Sequence, residues 1–220
     1  MGILNTGIFG GFRKKTGPLI GRRSRNQNVI TGLHHKSNKP TTEKQLVAQH
    51  KFALLNSFLS GITELLNLGF KKHTKNNSTA NAAYTYNYPH AFLPQEESWV
   101  LNYPALVYSR GHVAGPQGVE ITLVQNPDMR HEVVFKWALQ AQSEYCQFTD
   151  RASFLVYSPT KQRAVTVADA VDRYAMEYRF PLPADIDGTD LHCYMSFRSA
   201  NGKQAGNSRY LGVIPGDNNP

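Results

Sequence analysis

The sequence predicts an α+β protein that is mainly β, in which a basic arm and a long N-terminal helix precede a C-terminal sandwich of seven strands. Three observations support this fold class. Residues 42–72 have apolar side chains at helical spacing, residues 119–214 repeatedly alternate apolar and polar side chains, and positive charge is concentrated near the N-terminus. We expect four segments: an arm or hairpin at 1–40, a helix with an aromatic-rich packing region at 41–115, the sandwich at 116–214 and a tail at 215–220.

The arm is rich in glycine and in positive charge. Residues 1–75 contain 13 Lys and Arg against two acidic residues, a net charge of +11, whereas the remaining residues have a net charge of −3. Residues 18–22 and 28–33 have the spacing of a hairpin turned at 24–27. Two interpretations stay open: the arm binds the phosphates of a nucleic acid, or it becomes ordered against a neighbouring subunit. The residues predicted to bind an anionic partner are Arg13, Lys14, Lys15, Arg22, Arg23 and Arg25.

The predicted helix covers residues 42–72. Thr42 and Gln45 have the spacing of a capping box, and Pro40 prevents a helix from starting earlier. Ser60 and Gly61 lie in the middle of the stretch and predict a bend. The apolar face is too broad for an exposed helix, so we expect it to be buried. Its predicted packing residues are Phe52, Leu55, Phe58, Leu59, Ile62 and Leu66.

Residues 81–115 combine many tyrosines with three prolines, which predicts short strands and ordered loops that pack on the helix. Packing is the commoner use of such aromatic residues. Stacking on nucleic-acid bases is the alternative, because the basic arm is present in the same chain.

Seven strand-like segments follow between residues 119 and 214. In residues 191–197 the apolar positions are Leu191, Cys193, Met195 and Phe197, so we expect these side chains to be buried and His192 to be exposed. The same alternation predicts a strand over residues 174–180. The two cysteines, Cys146 and Cys193, are too few for a disulfide framework, and two buried thiols are favoured over a bridge.

The order of these segments resembles an immunoglobulin or fibronectin type III-like sandwich. The strand that contains Trp137 is similar to the second strand of such domains. Asp187-Gly188-Thr189, the strand 191–197 and the turn 199–202 resemble the turn, long strand and hairpin that close the fibronectin type. The resemblance covers residues 119–214.

A second resemblance extends over nearly the whole chain. Its most specific parts are residues 4–12 (LNTGIFGGF), 37–46 (SNKPTTEKQL), 109–111 (SRG) and the closing segment from 191 to 212. These features are similar to an uncharacterised family found mainly in Bacteroidetes, known only as a domain of unknown function. Two positions depart from the family pattern: Arg13-Lys14-Lys15 replaces a usual Ser-Gly-Lys, and His50 replaces a common arginine. The resemblance implies no activity.

Motifs of catalysis and cofactor binding do not occur in the sequence. Lys15-Thr16 is preceded by Lys14 where a P-loop requires glycine, and no nucleophile elbow or zinc-protease motif is present. His34 and His35 are adjacent on an extended stretch, so their side chains point to opposite sides and do not form a metal site. We therefore predict no enzyme, no cofactor and no metal.

The same sequence shows no apolar core of a signal peptide and no stretch of about 20 apolar residues. We expect no transmembrane segment and a cytoplasmic or particle-associated location. The predicted function is that of a structural or interaction protein, a self-assembling subunit of a filament, a particle or a phage-like virion. The expected partners are further copies or other structural subunits. The alternative is a nucleic-acid-binding protein that uses the basic arm.

Overall fold

A computed structural model describes residues 3–4, 11–24, 27–35, 39–74, 77–96, 98–125 and 131–216. The chain divides into two compact units, the N-terminal unit (Met1–Gln45) and the body (Leu46–Pro220). Predicted Arg25 lies outside the described residues.

The N-terminal unit contains one antiparallel sheet whose four strands follow chain order. These strands are β1 (Ile3–Leu4), β2 (Phe12–Thr16), β3 (Leu19–Ser24) and β4 (Gln27–Gly32). The β3–β4 hairpin pairs Leu19 with Gly32 and Ser24 with Gln27. Nearly all described side chains of the sheet are exposed, so it has little core of its own. Gly21 is buried beneath the backbone of Phe12. A Cβ at this position would lie 2.1 Å from the carbonyl oxygen of Phe12, so only glycine fits there.

In the described residues after β4, three α-helices and three 3₁₀ turns are interspersed with the remaining strands. The helices are α1 (Glu43–Ser60), α2 (Thr63–Gly69) and α3 (Thr79–Asn87), and the turns are Lys71–His73, Tyr103–Ala105 and Arg173–Ala175. The strands of the body are β5 (Phe92–Gln95), β6 (Ser98–Leu101), β7 (Glu120–Gln125), β8 (His131–Lys136), β9 (Arg151–Ser158), β10 (Arg163–Asp172), β11 (Glu177–Pro181), β12 (Leu191–Arg198) and β13 (Arg209–Ile214).

These strands form three antiparallel sheets. β5 and β6 make a two-stranded sheet, β11-β8-β7 a three-stranded sheet, and β10-β9-β12-β13 a four-stranded sheet. The four-stranded sheet contributes side chains to two buried clusters. Leu155 and Tyr194 pack with the helices, whereas Phe154 and Met195 pack with the three-stranded sheet. Because successive side chains of a strand point to opposite faces, β9 and β12 are buried on both sides.

The predicted fold class, a long N-terminal helix followed by a seven-stranded immunoglobulin or fibronectin type III-like sandwich, is wrong. The described residues are mostly β: their strands form four small sheets, and their three α-helices have only 18, 7 and 9 residues. The helix predicted over 42–72 is divided at Gly61 and Ile62, and the φ of −121° and ψ of 25° at Ile62 are not helical. A Cβ at Gly61 would lie 3.2 Å from the Cβ of Ala164, so the chain approaches β10 closely where it leaves α1. Glycine permits this approach and is a poor helix former, so the helix ends there.

The first turn of α1 has the predicted capping geometry. The Thr42 amide donates to Oε1 of Gln45 at 3.0 Å, and the Gln45 amide lies 3.4 Å from Oγ1 of Thr42. Each side chain thus satisfies an amide that the helix leaves without an intrahelical acceptor.

The predicted packing residues separate into two groups. Leu55, Phe58, Leu59, Ile62 and Leu66 are buried, but Phe52 is 54% exposed. The burial predicted for Phe52 is therefore wrong. The reason is that α1 enters the core only from its second half, since its first half is almost entirely exposed.

Two further segments differ from expectation. Residues 81–87, predicted to be strand and loop, belong to α3, because Ser78 Oγ accepts a hydrogen bond from the Asn81 amide at 3.2 Å and alanines favour the helix. Residues 174–180 are not one strand. Tyr174 lies in a 3₁₀ turn and Met176 is left-handed with φ +55°, so β11 begins only at Glu177.

The turn at Arg173 is fixed by a buried ion pair. The Arg173 guanidinium donates to Asp150 Oδ2 at 3.2 Å and to the carbonyl oxygen of Ala114 at 2.7 Å, and also to the side chain of Gln140. It lies 3.7 Å from the ring centroid of Phe197. A buried charge is costly without partners. These contacts therefore hold the guanidinium at the edge of the buried cluster that packs with the three-stranded sheet.

Cys146 and Cys193 are both buried free thiols. Burial raises the pKa of the Cys193 thiol to about 12, so the reactive thiolate is suppressed. His192, on the opposite face of β12, is half-buried rather than exposed as predicted. Its ring stacks on Tyr103 with centroids 4.0 Å apart, and Nδ1 lies 2.9 Å from the hydroxyl of Tyr210.

The substitution Ile62→Asp tests whether the helical face holds the body together. We expect it to lower the free energy of unfolding by about 3 kcal/mol or more, because a carboxylate replaces a fully buried side chain. Chemical denaturation measures the change. Leu46→Asp is the matched control, since Leu46 is 53% exposed in α1, and it should change stability by less than about 0.5 kcal/mol. Equal effects of the two substitutions would contradict the described packing.

His192 should make stability dependent on pH. Burial, partly opposed by Asp190, lowers its pKa in the folded state, so the unfolded chain binds the proton more readily. The stability due to neutral His192 is present above the unfolded pKa and is lost as the pH falls below it. Between about pH 7.5 and about pH 5 the wild type should therefore lose more stability than His192→Gln. Parallel stability curves for the two proteins would show that His192 is not buried in this way.

Candidate functional site

The cationic residues predicted in the arm lie on both faces of the N-terminal sheet. Lys15 pairs with Ile20, which places Lys15 on the same face as Arg22, two residues further along β3. Lys14 pairs with Gly21 and so shares the opposite face with Arg23. All four side chains are exposed, as is that of Arg13 on β2. The sheet thus divides the positive charge between its faces, and binding of an anionic partner there stays a prediction.

A row of four aromatic rings crosses the body at its surface. We name Phe52, Tyr84, Tyr88 and Phe92 the aromatic ridge. Consecutive ring centroids along the ridge are 5.4, 5.5 and 5.4 Å apart, which is the distance of favourable ring contacts. Tyr84 lies in α3, and Tyr88, the residue that follows α3, keeps helical backbone angles, so the two rings, four residues apart, adjoin on one side of the helix. The ridge joins α1, α3 and β5.

The β5–β6 hairpin carries a second exposed apolar surface, on the face opposite Phe92. Leu93 lies opposite Val100 in the pairing, and the two side chains are 47% and 37% exposed. The other side of the hairpin is held to α1, because Nζ of Lys51 lies 3.3 Å from the ring centroid of Trp99. Within the described residues no third strand pairs with this hairpin.

Helical spacing predicts Phe52 as a buried packing residue, and Tyr84 and Tyr88 belong to the aromatic-rich stretch 81–115 that is predicted to pack on the helix or, alternatively, to stack on bases. Tyr84, Tyr86 and Tyr88 have the two-residue spacing of a strand, so the sequence predicts a strand here. In the helix that forms instead, Tyr84 and Tyr88 lie on the same side. The helix signal that was available is the Ser78 cap followed by Thr79-Ala80-Asn81-Ala82-Ala83.

The described residues offer little support for a nucleophile pair, a metal site or a membrane-spanning helix. His192 and Cys193 lie on opposite faces of β12 and do not form a nucleophile pair. His34 and His35 are both exposed, and among the described residues no group of three or more His, Cys, Asp and Glu side chains is placed to hold a metal ion. In the same residues no helix has both the length and the hydrophobicity that crossing a bilayer requires.

Comparison with family models gives one match, to the family described as Family of unknown function (DUF6266), over residues 11–212. Comparison with curated proteins and with solved structures gives no match. The family model covers more than nine-tenths of the chain and includes both the N-terminal sheet from β2 onward and nearly all of the body. The chain belongs to the Family of unknown function (DUF6266).

Proposed function

We propose that the protein is a non-enzymatic structural subunit that associates with further copies of itself through the aromatic ridge and the outer face of the β5–β6 hairpin. The observation that supports this proposal is the ridge itself. Its four rings, each in contact with the next, remain partly open to solvent, and the outer face of the hairpin also exposes Leu93 and Val100. Large exposed apolar surfaces mark sites of association, and aromatic side chains are enriched in the centres of protein interfaces.

The hairpin offers a second means of contact. A two-stranded sheet is marginally stable alone, and its unpaired backbone groups can take up a strand of another chain. β5 contains Pro94, which has no amide hydrogen, whereas β6 contains no proline. The free edge of β6 is therefore the better acceptor for a strand from a second copy.

The charge of the body favours a second copy as the partner. Residues 46–220 contain 15 Lys and Arg and 15 Asp and Glu, so their net charge is zero. Two bodies with zero net charge can approach without net repulsion, whereas a high net charge would oppose their association. Residues 1–45 hold nine Lys and Arg against Glu43, a net charge of +8, so self-association through that unit would meet strong repulsion.

A contact of this surface with itself closes a dimer, and a filament or particle needs a second, different contact. The N-terminal unit is our candidate for that contact, made with another part of a neighbouring subunit. Repetition of both contacts would build a filament, a particle or a virion-like assembly.

The double substitution Leu93→Lys/Val100→Lys tests the proposal. We expect the wild type to gain mass with rising concentration in sedimentation velocity, and the variant to remain monomeric at the same concentrations. Two charges placed in the contact cannot be paired there and oppose association.

Leu123→Lys/Val213→Lys is the matched control, because it places two charges at exposed apolar positions elsewhere on the body. The control should associate as the wild type does, with thermal midpoints alike in all three proteins. A wild type that stays monomeric at the highest attainable concentration would refute the proposal, and so would equal loss of association in both variants.

Nucleic-acid binding by the N-terminal unit is the second candidate function. The specific observation in its favour is that Lys15 and Arg22 are exposed on the same face of the sheet. If a duplex lies on that face, about two phosphate contacts form there and log K falls with log salt at a slope of about −2. If all six predicted cations contributed, the slope would be about −5.

Titration of labelled duplex DNA at several salt concentrations measures this slope. Lys15→Gln/Arg22→Gln should weaken binding and flatten the slope, whereas Lys161→Gln, an exposed cation of the body, should leave both unchanged. Absence of binding at low salt would end this candidate.

A further inference from the structure

The body contains a cleft of about 740 Å³ whose wall is strongly cationic. It lies between the 3₁₀ turn after α2, the loop 110–112 and the loop that joins β12 to β13. Its volume is within the range of small-molecule sites in proteins. No Asp or Glu is among its lining residues, whereas four cationic side chains are: Lys71, Lys72, Arg110 and Lys203.

These four cations differ from most others in the body. Arg151 lies 2.7 Å from Asp172, and Lys136 and Arg163 likewise have carboxylate partners. Among the described residues no carboxylate lies within ion-pair distance of any of the four cleft cations. A bound anion would supply the opposite charge that these four cations lack among the described residues.

The backbone around the cleft is closely packed, so the cations are held on a fixed frame. The Arg110 amide donates to the carbonyl oxygen of Gly69 at 3.2 Å, and the Gly111 amide donates to Oδ1 of Asn207 at 3.1 Å. A Cβ at Gly111 would lie 1.8 Å from the carbonyl oxygen of Ala205. Glycine thus lets two loops meet backbone to backbone, and a preorganised frame lowers the entropy lost when a ligand binds.

The loop that presents Lys203 is fixed as well. Gly202 is left-handed with φ +66°, and the Lys203 amide donates to Oδ1 of Asn201 at 2.9 Å. The guanidinium of Arg198 lies beneath this loop but is paired with Asp169. Lys203 is therefore the cation that this loop supplies to the cleft.

An aromatic side chain adjoins the cationic wall. A second cavity of about 600 Å³ shares Lys72, His73 and Arg110 with the cleft and is lined on its other side by Tyr86. The Arg110 guanidinium lies 3.8 Å from the ring centroid of Tyr86. Arginine binds phosphate through a planar group that also stacks on flat rings, so this pair can contact both halves of one ligand.

We propose that this cleft binds a free nucleotide, with its phosphates among Lys71, Lys72 and Lys203 and its base beside the Arg110–Tyr86 pair. The two neighbouring cavities place a cluster of cations next to a planar surface, which is the chemistry that a phosphate attached to an aromatic base requires. The proposal does not depend on self-association, because the cleft and the aromatic ridge share no residue.

Calorimetric titration of the full chain tests the proposal with ATP and with inorganic triphosphate as probes. We expect one site per chain for each probe, and binding of ATP about tenfold tighter, because base stacking adds to phosphate binding. Lys72→Gln/Lys203→Gln should weaken both probes at least about tenfold. Tyr86→Leu should weaken ATP alone.

Lys161→Gln is the matched control, since it removes one exposed cation of the body outside the cleft and should leave both affinities unchanged. Because Lys203 lies in a surface loop, Lys203→Gln alone keeps the test valid if another variant loses its fold, and thermal midpoints identify such a variant. Unchanged affinity in Lys72→Gln/Lys203→Gln would overturn the site. Equal affinity for ATP and triphosphate, or displacement of ATP by a far tighter single-stranded oligonucleotide, would overturn the assignment of a free nucleotide.

Discussion

The antiparallel pairing of β9 with β12 is the interaction on which the rest of the body depends. Leu155 and Tyr194 of this pair belong to the cluster under the helices, and Phe154 and Met195 belong to the cluster under the three-stranded sheet. One pair of strands therefore links both cores. A register shift of one residue would exchange the two sets of side chains and disrupt both clusters together.

The aromatic ridge and the cationic cleft are both positioned by α3, which packs through Ala83 on the same cluster as Leu155 and Tyr194. Tyr84 and Tyr88 lie on one side of the helix in the aromatic ridge, while Tyr86, two residues from each and so about 200° around the helix, contacts Arg110 beside the cleft. In a strand the three tyrosines would share one face. The helix thus separates an apolar surface suited to association from a polar cleft suited to an anionic ligand.

The sequence predicted local features well where one short-range rule determines the outcome. Spacing alone predicts the capping box at Thr42 and the burial of Leu191, Cys193, Met195 and Phe197, but not the burial of Tyr194 on the opposite face of β12. Ser60 and Gly61 predict a bend in the long helix, but the close approach of Ala164 to Gly61, about a hundred residues away in the chain, is not visible in the sequence. Lys72, Arg110 and Lys203 are likewise distant in sequence, and backbone contacts made through Gly69 and Gly111 bring them together. Such contacts leave no local pattern, so the cleft could not be predicted.

Amide hydrogen exchange tests the central claim, that the β9–β12 pair holds both cores together, most directly. The amides of residues 154–157 and 193–197 should exchange slowest in the protein, with an opening free energy equal to that of global unfolding, because they are freed only when both clusters open. The amides of β5–β6 and of the first half of α1 should exchange faster, since these elements are largely exposed. Exchange of the β9 and β12 amides as fast as those of the β5–β6 hairpin would contradict this account.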